Sequence, residues 1–301
     1  MTRMNTFCHL LSALLIVFTA AFPAFGGDRV LKMSTTTSTQ ASGLLDILLP
    51  EFTKETGIRV KVIVKGTGAA IRDGMEGNVD IIFVHARQRE EKFLADGYGT
   101  KRFAVMHNDF ILLGPGSDPA GAAGEESVAR AMKRINDSRS GFVSRGDDSG
   151  THIKEQQIWL EAGVTLSATE QLVVKKGVKK AIRYQKPQNS ESWYISIGQG
   201  MGKTITYADE KQLYTLSDRG TYIKYRYGRT PAIDLEVVRE DDPVLMNPYG
   251  VIPVSPEKHP HVNHDAALRF AHWVTSAKGQ RLIGDYRLMG RRLFYPDTIP
   301  R

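Results

Sequence analysis

A two-lobed α/β clamshell is the fold class this sequence predicts, and three observations carry it. Strand-like apolar runs alternate with amphipathic helical segments, the pattern of doubly wound mixed sheets. The alternation occurs twice, on either side of a Gly/Pro-rich stretch, "NDFILLGPGSDPAG", at 108–121. A further strand-like stretch at 232–254 then reads as a return to the first lobe. Two crossings between lobes make a hinge, and the default ligand site is the cleft between them.

The first segment stands apart from the fold. Arg3 precedes an apolar run from Leu10 to Phe25, and Gly26 follows two positions after Ala24, which reads as a secretory signal peptide over residues 1–26. Ser12, Thr19 and Pro23 interrupt the run, which falls short of the roughly 20 apolar residues a spanning helix needs. Cys8, the only cysteine, lies near the start of this segment, whereas a lipid-anchored cysteine would follow the apolar core. The mature chain is then expected in the periplasm, without disulfides, with about 275 residues to build a large core. Losing Arg3 leaves 39 bases against 33 acids, a net charge of +6 spread among mixed charges. No dense basic stripe or aromatic platform tracks a nucleic-acid backbone. The balance suits a small anion, and a monomer is expected.

The elements follow in order. "VLKM" is a strand, and Leu44, Leu45, Ile47, Leu48 and Phe52 recur at helical spacing up to the Thr56-Gly57 stop. The strand "RVKVIV" (59–64), the glycine-bearing turn and short helix "KGTGAAIRDGMEG", the buried strand "VDIIFVHA" (79–86) and the helical "RQREEKFLADG" continue the first lobe. Beyond the crossing, "SVARAMKRIND" is helical and "GFVSR" strand-like. "DSGTHIKEQQIWLEAG" is a turn running into a helix, with Ile153, Gln157, Trp159 and Leu160 near one face. "TITYADEKQLYTLSDRGTYIKYR" follows, then "AIDLEVVRED" and "NPYGVIPV" return to lobe one, and "NHDAALRFAHWVTSAKGQRLIGDY" adds one or two helices. The expected division places lobe one at 27–113 and 234–301 and lobe two at 114–233.

A helix start leaves its first backbone N–H groups without intrahelical partners and carries partial positive charge, so it attracts oxyanions. Hydroxyls on the same turn add donors without adding charge. Three such starts occur: "TTTST" (35–39), "GTG" (66–68) and "RGDDSGTH" (145–152), the last bringing the cation Arg145. Ser and Thr are also ordinary caps, so each start alone is a weak signal, and "TTTST" by itself reads as a solvated turn. Jointly, two starts from lobe one and one from lobe two would converge across one cleft. A carboxylate of Asp147 or Asp148 would fix the guanidinium or cap N–H groups, and the sequence does not assign which does which.

Over essentially the whole mature chain the sequence resembles the periplasmic tungstate-binding proteins of TupA type, which feed an ABC transporter and have the type II periplasmic-binding fold. The resemblance rests on "STTTST", "RGDDSGTH" followed by "KEQQIWLEAG", "GQGMGKT", "YTLSDRGTY", "NPYGVIPV" and "LFYPD". It implies a non-enzymatic solute-binding protein, without a cofactor or resident metal, that passes tungstate or molybdate to a membrane permease. Thr36, Thr37 and Ser38 would form one wall of the oxyanion site, with Thr67 and Gly68 placed by their loop, and Arg145, Ser149, Gly150 and Thr151 would form the other. Phosphate-binding relatives also carry an Arg four residues before Ser-Gly-Thr, which keeps a phosphate-binding protein of the same fold as the alternative.

Other readings of the same residues are weaker. "GQGMGKT" has Ile197 where a nucleotide-binding loop needs its first glycine. A serine hydrolase would have to draw Ser149, His152 and Asp147 or Asp148 from a single turn, where side chains stack and do not converge, and Gly-x-Ser-x-Gly is absent around Ser149. His259, His261 and His264 form a polar, proline-containing stretch ahead of a helix that Asn263 would cap, with no clustered carboxylate to define a metal site. Trp159, Trp193, Tyr194, Trp273 and Tyr286 are expected in the core or between lobes.

Overall fold

The computed structural model describes residues 30–175 and 177–298; the expected signal peptide and Cys8 lie outside them. The first lobe is wound from β1 (Val30–Thr36), α1 (Thr37–Ser42), α2 (Leu45–Thr56), β2 (Arg59–Lys65), α3 (Thr67–Met75), β3 (Ile81–Val84) and α4 (Arg87–Ala95). β1 is parallel to β2 on one edge and to β3 on the other. Strand side chains alternate between faces, and a sheet covered by helices on both sides needs apolar residues on both. β3 meets that need with four buried residues: Ile81 and Phe83 join one core with α2 and the C-terminal helices, Ile82 and Val84 the other under α3 and α4.

β4 (Phe103–Gly114) leads into the second lobe: α5 (Val128–Ser138), β5 (Phe142–Ser144), α6 (Gly150–Glu161), β6 (Leu166–Lys175), β7 (Val178–Pro187), β8 (Tyr194–Ser196), α7 (Met201–Lys211), β9 (Tyr214–Asp218), α8 (Arg219–Tyr227) and β10 (Glu236–Arg239). The chain returns through β11 (Met246–Pro253), α9 (His264–Val274) and α10 (Ala277–Asp285), and ends in the short strands β12 (Arg287–Leu288), β13 (Arg291–Arg292) and β14 (Tyr295–Pro296).

β4 serves both sheets. Its first half pairs antiparallel with β11, from Phe103↔Val251 to Asp109↔Met246, and its second half with β9, from Phe110↔Asp218 to Leu113↔Thr215. In that second half, Phe110 and Leu112 enter the core under α5 and α6, while Ile111 and Leu113 enter the core under α7 and α8. The end of β4 is thus shared: Phe110–Leu113 pair with β9, and Glu236–Arg239 of β10 pair with Leu112–Gly114. Arg219 spans the two crossings: its Nε donates to Asp109 Oδ1 at 2.5 Å and its Nη2 to Asp109 and, at 2.6 Å, to Glu240 Oε2.

Two differences from expectation bear on the site. In α6, Trp159 is fully buried, but Leu160 is 68% and Ile153 42% exposed. The buried face instead carries Thr151, His152, Glu155, Ile158 and Trp159, so most of what this helix buries is polar. The β6–β7 hairpin, an antiparallel pair from Leu166↔Pro187 onward, falls on a stretch for which no element was expected. Its polar–apolar mixture leaves Leu172 exposed and Val173 buried.

The lobe-one core centres on Phe52, whose ring meets Phe270 edge-on at 5.1 Å and Trp273 at 5.5 Å between centroids. Phe270 is fully buried and remote from the cleft. Phe270→Ala is expected to cost about 3–5 kcal/mol of stability, read as a lower denaturation midpoint with an unchanged denaturant slope.

Candidate functional site

Four helices, α1, α3, α6 and α8, begin around one inter-lobe cleft of about 490 Å³. Each begins where a strand or loop of the sheet ends, so backbone N–H groups from both lobes face the same space.

On the lobe-one side, β1 runs out at Thr36, which caps α1. Thr36 Oγ1 accepts the Thr39 N–H at 3.2 Å and lies 3.0 Å from Ser38 Oγ, 2.7 Å from Thr39 Oγ1 and 3.1 Å from His85 Nε2. Ser38 Oγ is 3.0 Å from the same nitrogen. The other ring nitrogen of His85 is 3.2 Å from Asn247 Oδ1, and Asn247 Nδ2 donates to Asn108 Oδ1 at 2.7 Å. A carboxamide oxygen only accepts, so this chain of bonds assigns the proton to Nδ1 and leaves Nε2 as acceptor for the hydroxyls. Desolvation pushes the His85 pKa down, opposed by the Asn247 hydrogen bond, so the ring is neutral near pH 7. Its face stacks on Tyr249 at 4.5 Å. The hydroxyl wall is thereby tied to Asn108 and Asn247, which pair with each other where β4 and β11 leave the first lobe.

On the lobe-two side, the loop between β5 and α6 holds Arg145. Its Nη2 donates to Asp147 Oδ2 at 2.8 Å and its Nη1 to Thr151 Oγ1 at 3.3 Å, while its Nε is buried with no acceptor among the described residues. Asp147 Oδ1 accepts the Ser149 N–H at 3.3 Å, so this aspartate both fixes the guanidinium and braces the helix start. Asp148, exposed and at φ 58°, instead donates its backbone N–H to His152 Nδ1 at 3.1 Å. The loop turns on Gly146, φ 57°, where a Cβ would fall 1.8 Å from Ser196 Oγ.

Every residue singled out from sequence, Thr36, Thr37, Ser38, Thr67, Gly68, Arg145, Ser149, Gly150 and Thr151, lines this cleft. Several others there were not singled out: His85, Arg72, Arg89, Asp218, Thr221, Lys224, Asn247 and Tyr249. Arg145 thus shares the cleft with three more cationic side chains, Arg72, Arg89 and Lys224. Lys224 Nζ donates to Ala41 O across the cleft mouth. Asp218 caps α8, accepting the Thr221 N–H at 2.8 Å and its hydroxyl at 2.8 Å. A signal for His85 existed, since it directly follows the C-terminal end of a buried strand, where α/β sheets place ligand-facing groups.

The competing readings meet the same geometry. Ser149 Oγ accepts the His152 backbone N–H at 3.3 Å, and the ring's Nδ1 accepts from Asp148, an arrangement of helix capping and not of a base facing a nucleophile. In "GQGMGKT", a Cβ on Gly198 would meet Gln171 at 2.8 Å and one on Gly202 would meet the Tyr225 hydroxyl at 2.2 Å, so these glycines serve packing. His259 and His261 bond through Nε2 to the carbonyls of Met75 and Gly77, and His264 through Nδ1 to that of Val254. Asn263 caps α9.

Comparison with known proteins gives one answer. Residues 24–278 match the family model of the PBP superfamily domain. The chain is 43% identical over 270 residues, 88% of it and 85% of its relative, to the tungstate-binding protein TupA of Peptoclostridium acidaminophilum. Among solved structures, the tungstate-binding protein TupA of Desulfovibrio alaskensis G20 superposes with TM-score 0.79 at 42% identity, covering 89% of this chain and 98% of that one. The tungstate ABC transporter structure from Geobacter sulfurreducens gives TM-score 0.69 at 44% identity, over 85% and 98% of the two chains. With the two sheets sharing β4 and the cleft between them, these matches make the chain a member of the PBP superfamily, with the type II periplasmic-binding fold, and within it of the TupA family.

Proposed function

We propose that this protein captures a fully deprotonated tetrahedral oxyanion, tungstate or molybdate, between its lobes and delivers it to an ABC-transporter permease from the periplasm, acting as a monomeric carrier and not as an enzyme. The observation that carries the reading is Arg145: a guanidinium held in plane by Asp147, with a buried Nε lacking an acceptor among the described residues, facing hydroxyls and helix starts of the other lobe. Removing an anion from water is costly unless oriented dipoles and charge replace its hydration. Two walls of N–H and O–H donors with a fixed cation supply that replacement.

Proton count separates this ligand class from phosphate. At neutral pH phosphate keeps at least one proton, which needs an acceptor inside the site, whereas tungstate and molybdate keep none. Of the three aspartates lining the cleft, Asp147 is committed to Arg145 and the Ser149 N–H and Asp218 to Thr221, while Asp148 is exposed. Titration calorimetry against tungstate, molybdate, sulfate and phosphate at pH 7.5 is expected to rank tungstate above phosphate by about tenfold or more, the cost of an unmatched buried O–H. Phosphate winning that competition would sink the assignment.

Because both lobes supply the site, saturating tungstate is expected to shrink the scattering radius and raise the melting temperature by mass action; a protein unchanged in both is not a clamshell closing on this ligand.

Arg145→Ala should weaken binding by about 2–5 kcal/mol, with Arg145→Lys recovering only part because ammonium lacks the planar fork. Gly146→Ala should weaken binding as well, because its Cβ collides with Ser196 and displaces the loop. Unchanged calorimetric affinity in the Arg145→Ala protein would remove the guanidinium from the site.

A further inference from the structure

The loop that carries Arg145 rests on a buried acid. Glu155 projects from the second turn of α6 back beneath the loop and is 2% exposed. Its Oε2 accepts the Ser144 hydroxyl at 2.6 Å, and its Oε1 accepts the Tyr194 hydroxyl at 2.7 Å and the Trp159 indole N–H at 3.2 Å. Ser144 Oγ in turn accepts the Gly146 N–H at 3.2 Å. Arg145 is therefore strung between two residues that are both pinned, directly or through one hydroxyl, to this carboxyl. Nothing in the capture geometry above uses Glu155, and a helix of this kind would bury a Leu or Met there at less cost.

The groups around Glu155 do not neutralise it. Arg145 and Asp147 lie in the loop, His152 and Trp159 on its own helix, Ser144 on β5 and Tyr194 on β8, with Tyr184 of β7 against the His152 ring. Glu155 forms no ion pair among the described residues, and Arg145 already donates to Asp147. We infer that Glu155 is a positioning residue for the oxyanion site, holding the Arg145 loop through Ser144 and coupling capture of a dianion to the uptake of one proton. This rests on the oxyanion reading above. An arriving dianion adds negative charge beside a loop that already carries Asp147 and Asp148 and rests on Glu155, and Glu155 is relieved by taking a proton.

Burial, opposed by its three donors and reinforced by Asp147, pushes the Glu155 carboxyl up to about 7. The sign follows. Below the free-state value Glu155 is protonated before the ligand arrives and affinity is highest; as pH rises above about 7, capture must draw a proton from solution and affinity falls, by at most about tenfold per pH unit for one proton.

The test is titration calorimetry with sodium tungstate from about pH 6.5 to 9, in buffers of different ionisation enthalpy so that proton uptake is counted. The intact chain is expected to take up a fraction of a proton near pH 7 to 8, with Kd rising about fivefold or more between pH 6.5 and 8.5. Glu155→Gln, a neutral isostere of the protonated acid, should bind with a flat profile over that range and without uptake. Tyr194→Phe withdraws one donor from the carboxylate, so its inflection should move to higher pH, which keeps the test open if the glutamine variant does not fold. A merely structural Glu155 would lower stability and leave the profile where it was. Proton uptake that persists in Glu155→Gln belongs to another group, His85 first, and overturns the inference, as does an unmoved inflection in Tyr194→Phe. Tungstate binding without proton linkage overturns this inference alone; no tungstate binding at any pH overturns the oxyanion reading and this with it.

Discussion

One strand belonging to two sheets is the constraint on which this molecule depends. β4 must pair with β11 in its first half and with β9 and β10 in its second, so its side chains alternate into separate cores without a break. At Asn108 and Asp109 the strand changes partners while its backbone runs on. Arg219 sits there with Asp109 and Glu240, joining the outgoing and returning chains by charge while leaving the cores on each side undisturbed.

The same strand geometry determines what the cleft can offer. Strands of the first lobe end at Thr36 and Val84, and those of the second at Ser144 and Asp218, and the helices that follow, or the loops leading to them, begin at the cleft. Helix starts present donors, so the cavity is donor-rich by construction, and side chains only complete it. The acids close to those donors are neutralised locally, Asp147 by Arg145 and Asp218 by the turn it caps. In these two residues negative charge is used for bracing.

Much of this was legible in the residues. Alternating strands and helices, the crossing near 108–121 and the three hydroxyl-rich helix starts all correspond to elements or cleft residues, because those features are local: a cap, a periodicity, a turn. What was not legible is non-local. His85 lies 162 residues from Asn247 in sequence yet bonds to it, and Arg72, Arg89 and Lys224 read as ordinary surface cations until the fold gathers them. Hydrophobicity alone favours Leu160 on the buried face of α6, whereas Thr151 and Glu155 are buried there beneath the loop. The β6–β7 hairpin is not legible because its apolar residues are broken up by Glu, Gln, Lys and Arg out of strict alternation.

The hydroxyls of the first wall are already bonded to one another and to His85, and the guanidinium of the second to Asp147 and Thr151. These side chains are thus aimed by bonds made within the chain, while the Arg145 Nε is left without an acceptor among the described residues. A contact that displaced one of these internal bonds would return part of its attraction on release, because the old partner is within reach to reclaim its proton. Grip and let-go are set by the same short bonds, and a shuttle that must surrender its cargo on docking gains from a site that heals itself as it empties.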